Sequence, residues 1–236
     1  MKGLSSILVA TALTFGSWDI VAATDVHVLG QMRRMFTVHD IGANVELSQV
    51  NLEPHVYGLG PVAGLKGEIT VVDGTVFVSS VSGDKPRVAV APDAKAVFLV
   101  YASIPKWHST DLPENVQTEK ELASYLEGRM PTNTRSAFLV QGTALKAQYH
   151  IQNYKGSAKD LTHEAHDRAK AFFAITNVPV ELVGFFTNVE GDGGSFVHMG
   201  QTTHMHIISA DRKQTGHLES IQMAPGAKLL LPEGSK

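Results

Sequence analysis

The run Gly67-Glu68-Ile69-Thr70-Val71-Val72-Asp73-Gly74-Thr75-Val76-Phe77-Val78 constrains the fold of this chain more than any other segment. Two β-branched stretches flank an Asp-Gly pair, which suits a two-residue turn with positive φ at both positions. A hairpin is therefore expected here. Lys95 to Ile104 is a nearly continuous apolar run that fits a strand buried on both faces, ended by Pro105-Lys106-Trp107. Five further segments alternate or run apolar at strand length: Ser136–Val140, Val180–Thr187, Thr203–Ser209, His217–Met223 and Lys228–Leu231.

Helical signals are fewer. Thr118 to Met130 places Leu122, Tyr125, Leu126 and Met130 at helical spacing behind a Thr-x-x-Glu start, the pattern of a capping box. Leu161 to Phe173 reads either as a helix or as an ordered loop in its polar half. The balance predicts a β-rich α+β fold: two closely packed lobes of mixed or antiparallel sheet with a few helices. The polar break Pro131-Thr132-Asn133-Thr134 divides a lobe at 24–130 from a second at 131–236. A doubly wound nucleotide fold is excluded by the excess of strands, and the Gly191–Ser195 turn lacks the strand-turn-helix setting of a phosphate loop.

The N-terminus has the layout of a secretory signal peptide: Lys2, an apolar core from Leu4 to Phe15, and Val21-Ala22-Ala23 ahead of Thr24-Asp25. Cleavage after Ala23 removes residues 1–23 and sends the protein to the periplasm or the medium, with no membrane span left. The 20 basic and 23 acidic residues provide no general attraction to phosphates, so nucleic acid is not an expected partner. Zero cysteines exclude disulfides, thiolate nucleophiles and cysteine-ligated zinc.

Histidine is abundant instead, and seven of the 11 lie from His150 onward. His204-Met205-His206 sits inside a strand-like run, where residues two apart project from one face. Eleven residues later, after a turn, His217 opens the next strand and can fold back beside the first two. Three neutral imidazoles on one wall suit Zn²⁺ or a similar divalent ion with open coordination positions, although imidazoles also hydrogen-bond or stack without a metal.

The sequence HMHIISADRKQTGHLES resembles the zinc signature of bacterial α-acetolactate decarboxylases. Gly64-Leu65-Lys66-Gly67-Glu68 with its Asp73-Gly74 hairpin is similar to the family's Gly-Glu segment. The helix at 118–130 followed by Ala137-Phe138-Leu139-Val140-Gln141-Gly142-Thr143 is similar to its helix and Gly-Thr strand, and Leu182–Thr187 to the strand before its metal motif. The likeness runs from about Gly58 to Ser220. It implies a zinc-dependent carboxy-lyase that converts 2-acetolactate, or a close 2-hydroxy-3-keto acid, to acetoin and CO₂ through a metal-stabilised enediolate. The resemblance further implies His204, His206 and His217 as metal ligands, Glu68 as the proton-handling group, a small keto acid as partner, and a homodimeric habit. From its local sequence alone, Glu68 reads as a solvated charge at the mouth of a hairpin.

Two positions depart from the family pattern. Where the family has an arginine eight residues after the Gly of its Gly-Thr strand, this chain has His150, which lacks the bidentate fork and full charge and is assigned to the substrate contacts. The family also brings in a C-terminal glutamate, for which Glu233 is the only acidic candidate after Glu219. His163, His166 and His198 have no counterpart; each by itself reads as a surface or loop residue, the alternative being that they line an altered pocket. These departures keep two alternatives open: a divergent metal-dependent lyase or isomerase with another substrate, and a non-catalytic periplasmic metal- or ligand-binding protein.

Overall fold

A computed structural model describes residues 25–233, so the expected signal peptide at 1–23 lies outside the described residues. The first half of the chain contributes β1 (His27–Leu29), a one-turn helix α1 (Arg34–Thr37), β2 (Val45–Glu46), β3 (Val56–Pro61), β4 (Glu68–Val72), β5 (Thr75–Ser82), β6 (Lys85–Val90), β7 (Lys95–Ala96) and β8 (Leu99–Ser103). There follow β9 (Trp107–Asp111), α2 (Glu119–Glu127), β10 (Arg135–Gln152), α3 (His163–Arg168), β11 (Lys170–Thr187), β12 (Thr203–Ser209), β13 (Thr215–Met223) and β14 (Lys228–Pro232). The fold is the expected β-rich α+β class.

One antiparallel sheet has the order β1-β8-β3-β4-β5-β6, and the other β11-β12-β13-β10-β14-β9. In the second, β10 also pairs with β11, so β10, β11, β12 and β13 close on one another. β2 and β7 form a separate pair. Among the described residues no helix is long and apolar enough to cross a membrane.

The hairpin of β4 and β5 turns where the sequence predicts, with Val72 opposite Thr75 and positive φ at Asp73 and Gly74 (48° and 77°). α2 has the full capping box: Thr118 Oγ1 accepts from Glu121 N, and Glu121 Oε2 accepts from Thr118 N. The run from Lys95 to Ile104 is two strands rather than one, because the chain passes from the β2 pairing to the main sheet across buried Val97 and Phe98. The helix over Leu161–Phe173 is confined to His163–Arg168, capped by Thr162. From Lys170 the backbone bonds to β10 instead, and pairing against an 18-residue partner outweighs a short helix. Ser136–Val140 and Val180–Thr187 are the far ends of these two 18-residue strands, which pair from Arg135 opposite Thr187 to Gln152 opposite Lys170. The chain leaves the first sheet after β8; β9 is already an edge strand of the second, and Pro131–Thr134 is a turn between α2 and β10.

Strand parity sorts the side chains into layers. Phe138, Val140, Leu182, Met205, Ile207 and Leu218 point to an outer core that Leu122 and Leu126 of α2 cover. Their neighbours Leu139, Val183, Phe185 and Ile208 point the other way, into a core shared with Leu59, Phe98 and Val100 of the first sheet. On β4, Ile69 and Val71 fill a third core beyond the first sheet. Glu68 and Thr70 must therefore face the second sheet.

Candidate metal centre

Every residue of the site lies on the inward parity of its strand. His204 and His206 alternate with Met205 and Ile207 on β12, His217 precedes Leu218 on β13, and His150 lies between Tyr149 and Ile151 on β10, all five neighbours being outer-core residues. Register aligns them further: His206 is opposite His217, which is opposite His150. Gly216 permits this approach, since a Cβ there would stand 2.5 Å from His150 O.

The ligand atoms of His204, His206 and His217 all lie within 4.8 Å of one another. His204 Nδ1 donates to Phe196 O at 2.6 Å, which leaves Nε2 as the lone-pair nitrogen, 3.0 Å from His217 Nδ1. His206 Nδ1 is 3.0 Å from Thr70 Oγ1, itself 2.9 Å from Thr215 Oγ1. His206 Nε2 is fully buried and has no hydrogen-bond partner among the described residues. Burial is the main cause that pushes all three imidazoles down, His204 to about 3 and the others well below the ordinary range. Three neutral imidazoles, two anchored through one nitrogen and one holding an orphaned lone pair, fit a divalent metal ion. With no cysteine in the chain, no thiolate donor is available.

Glu68 is 3% exposed, so it is no solvated charge. Its Oε2 lies 3.8 Å from His206 Nε2 and its Oε1 3.8 Å from His150 Nε2. Burial raises its pKa to about 8, against the lowering effect of the Gln152 N–H that donates to Oε1 at 3.2 Å. At neutral pH the group holds a proton among imidazole acceptors. His150 is buried as well, with Nδ1 2.7 Å from Glu219 Oε1. Burial lowers its pKa and the carboxylate partly restores it.

The structure thus brings together all five expected site residues and adds others. Glu219 shares the inward parity of His217 two positions away, a signal present in the sequence but unused. His198 is half-buried with its ring centroid 5.9 Å from that of His217 and 6.4 Å from that of His204, so it belongs to the cluster rather than to the surface. His166 is buried behind Glu68, its Nε2 2.9 Å from the Gln152 amide nitrogen, whereas His163 is exposed and stacks on Phe36. Glu233 does not enter the site. It follows β14, which pairs with β10 at Leu139–Gln141 and with β9, and its backbone bonds to Lys106 O. Nine residues separate Gln141 from His150, so the carboxylate that enters is Glu219.

The family model described as alpha-acetolactate decarboxylase matches residues 46–230. Alpha-acetolactate decarboxylase from Bacillus subtilis strain 168 superposes with a TM-score of 0.71 at 16% identity, covering 87% of this chain and 84% of that one. Acetolactate decarboxylase from Bacillus subtilis subspecies spizizenii gives 0.71 at 18% identity, covering 89% and 86%. A Staphylococcus aureus protein of unknown function similar to alpha-acetolactate decarboxylase gives 0.68 at 14%, covering 87% and 84%. No curated protein matches the chain significantly in sequence.

Proposed function

Because this chain belongs to the alpha-acetolactate decarboxylase family, we propose that it is a zinc-dependent carboxy-lyase that converts 2-acetolactate, or a close 2-hydroxy-3-keto acid, to acetoin and CO₂. The observation that carries this reading is a buried Glu68 within 3.8 Å of His150 and His206, at the edge of three imidazoles whose ligand nitrogens lie within 4.8 Å of one another.

His204, His206 and His217 would hold the ion, which when bound would supply a Lewis acid for the substrate's hydroxyl and keto oxygens. Thr70 and Phe196 O fix two of these rings from behind, so the ligand nitrogens are preoriented. The bond between the carboxylate carbon and the substrate breaks, CO₂ leaves, and the electron pair stays on the former carboxylate-bearing carbon. Glu68 delivers its proton to that carbon and becomes a carboxylate, which recovers a proton from solvent. Burial keeps Glu68 protonated until then and keeps bulk water from competing. His150 contacts the substrate through Nε2. Purified protein assayed for metal content, CO₂ and acetoin from racemic acetolactate tests the reading: bound zinc without turnover rejects the substrate and spares the site.

A second reading, a divergent lyase or isomerase, is favoured by the histidine at position 150. A large gain in acetolactate turnover in His150→Arg would support it, and no change would count against it. We further place the protein outside the cytoplasm, on the pattern of residues 1–23. N-terminal sequencing of the exported protein should find a start at Thr24, and an intact Met1 start would refute this.

A further inference from the structure

Glu219 has no part in the chemistry above, yet it is the best-held carboxylate of the site. Its Oε1 accepts from His150 Nδ1 at 2.7 Å and lies 3.3 Å from Lys170 Nζ. Lys170 is steadied on its other side by Asp167, again at 3.3 Å. An ionised carboxylate only accepts hydrogen bonds, so the short contact requires a proton on His150 Nδ1 and leaves the lone pair of the neutral ring on Nε2. That nitrogen is the one turned toward Glu68, 3.8 Å from Oε1. In the neutral ring, Nε2 is therefore an acceptor aimed at the site.

We propose that Glu219, braced by Lys170, is a positioning residue that locks His150 in its Nδ1–H tautomer, so that Nε2 accepts a hydrogen bond from a hydroxyl of the substrate. An arginine at this position would be a cationic donor suited to a carboxylate. The His150–Glu219 pair turns an acceptor nitrogen to this position instead, and the group it selects is a hydroxyl. The choice of substrate group rests on the decarboxylase reading; the tautomer does not. His150, His217 and Glu219 are also spaced to hold a second ion, with ligand atoms within 4.8 Å. An ammonium against the same carboxylate oxygen disfavours that use, because it would repel the ion.

The test uses full-length, zinc-loaded protein labelled with ¹⁵N-histidine, in which long-range proton–nitrogen correlations report which ring nitrogen carries hydrogen. His150 is assigned by the signal lost in His150→Gln. The expected result is Nδ1–H in the wild type and in Glu219→Gln, whose amide oxygen still accepts. In Glu219→Ala the Nδ1–H form is lost, zinc stays at one ion per chain, and kcat falls about 10- to 100-fold while Glu219→Gln recovers most of it. Nε2–H in the wild type, an unchanged tautomer in Glu219→Ala, or a second ion per chain each overturns the proposal. The wild-type tautomer decides the matter by itself if Glu219→Ala fails to fold. A correct tautomer in a protein that forms no acetoin would reject the decarboxylase reading and leave this one standing.

Discussion

The ribbon of β10 and β11 ends in two buried polar clusters built in opposite ways. At one end Arg135 is opposite Thr187, and both donate to Asp192, Arg135 Nε at 2.7 Å and Thr187 Oγ1 at 2.6 Å. Val189 N in turn donates to Thr187 Oγ1. At the other end His150 lies beside Glu68, which receives one backbone N–H, and near His206, whose Nε2 receives nothing among the described residues. Buried polar groups are normally satisfied, so the first cluster serves the fold and the second gives up stability to keep lone pairs and a proton available. One ribbon carries both. Its pairing energy is what allows one end to be left unsatisfied.

The same kind of substitution should act differently at the two ends. The largest effect is expected from His206→Ala, which removes a ligand nitrogen and should abolish both metal binding and turnover. Metal retained at wild-type content would show that the imidazole cluster is structural. Next comes Glu68→Gln: turnover should fall about 10²- to 10⁴-fold, with metal content intact. A rate within a few-fold of wild type would remove Glu68 as the proton donor.

The stability of these carboxyl-to-amide variants sharpens the contrast. Asp192→Asn should destabilise by about 2 kcal/mol, from the loss of charge-assisted hydrogen bonds, and leave activity per folded molecule unchanged. Glu68→Gln should instead raise the melting temperature of the metal-free protein at pH 8. The pKa of Glu68 is raised from 4.5 to about 8, so holding it folded costs progressively more as pH climbs across that interval, and an amide has no such cost. Destabilisation by both substitutions, read by thermal melts, would break the comparison.

The smallest effect lies in acid. Although burial opposes it, the hydrogen bonds from Arg135 and Thr187 hold Asp192 below its ordinary 3.8. Its stabilisation is therefore complete above that value and is lost as pH falls through the folded pKa. The stability curve of Asp192→Asn should be flatter than wild type below about pH 4. Parallel curves would assign the acid sensitivity to another group.

Features encoded within a few neighbouring residues were legible in the sequence. The Asp73-Gly74 turn, the Thr118–Glu121 capping box and the His204, His206 and His217 set all formed as expected, because turn chemistry, capping and strand parity act over short spans. Segments whose state depends on distant partners were not. Of the two readings of Leu161–Phe173, the helix holds only to Arg168 before pairing with β10 takes over, and His198 and His166, each read alone as a surface residue, are half-buried and buried beside the site. Glu233 was the only acidic candidate after Glu219, yet β14 runs between β9 and the far half of β10, which keeps Glu233 away, and Glu219 enters in its place.

What the sequence by itself determined is the β4–β5 hairpin, the strand character of segments in β10 to β14, the shared face of His204 and His206, and a histidine-rich, cysteine-free composition, because turn chemistry, alternation and composition are local properties. Tertiary structure decided that Glu68, from one sheet, is buried against imidazoles of the other, and that burial raises its pKa. No local pattern carries that information, since desolvation belongs to the packing of two sheets and to neither strand alone.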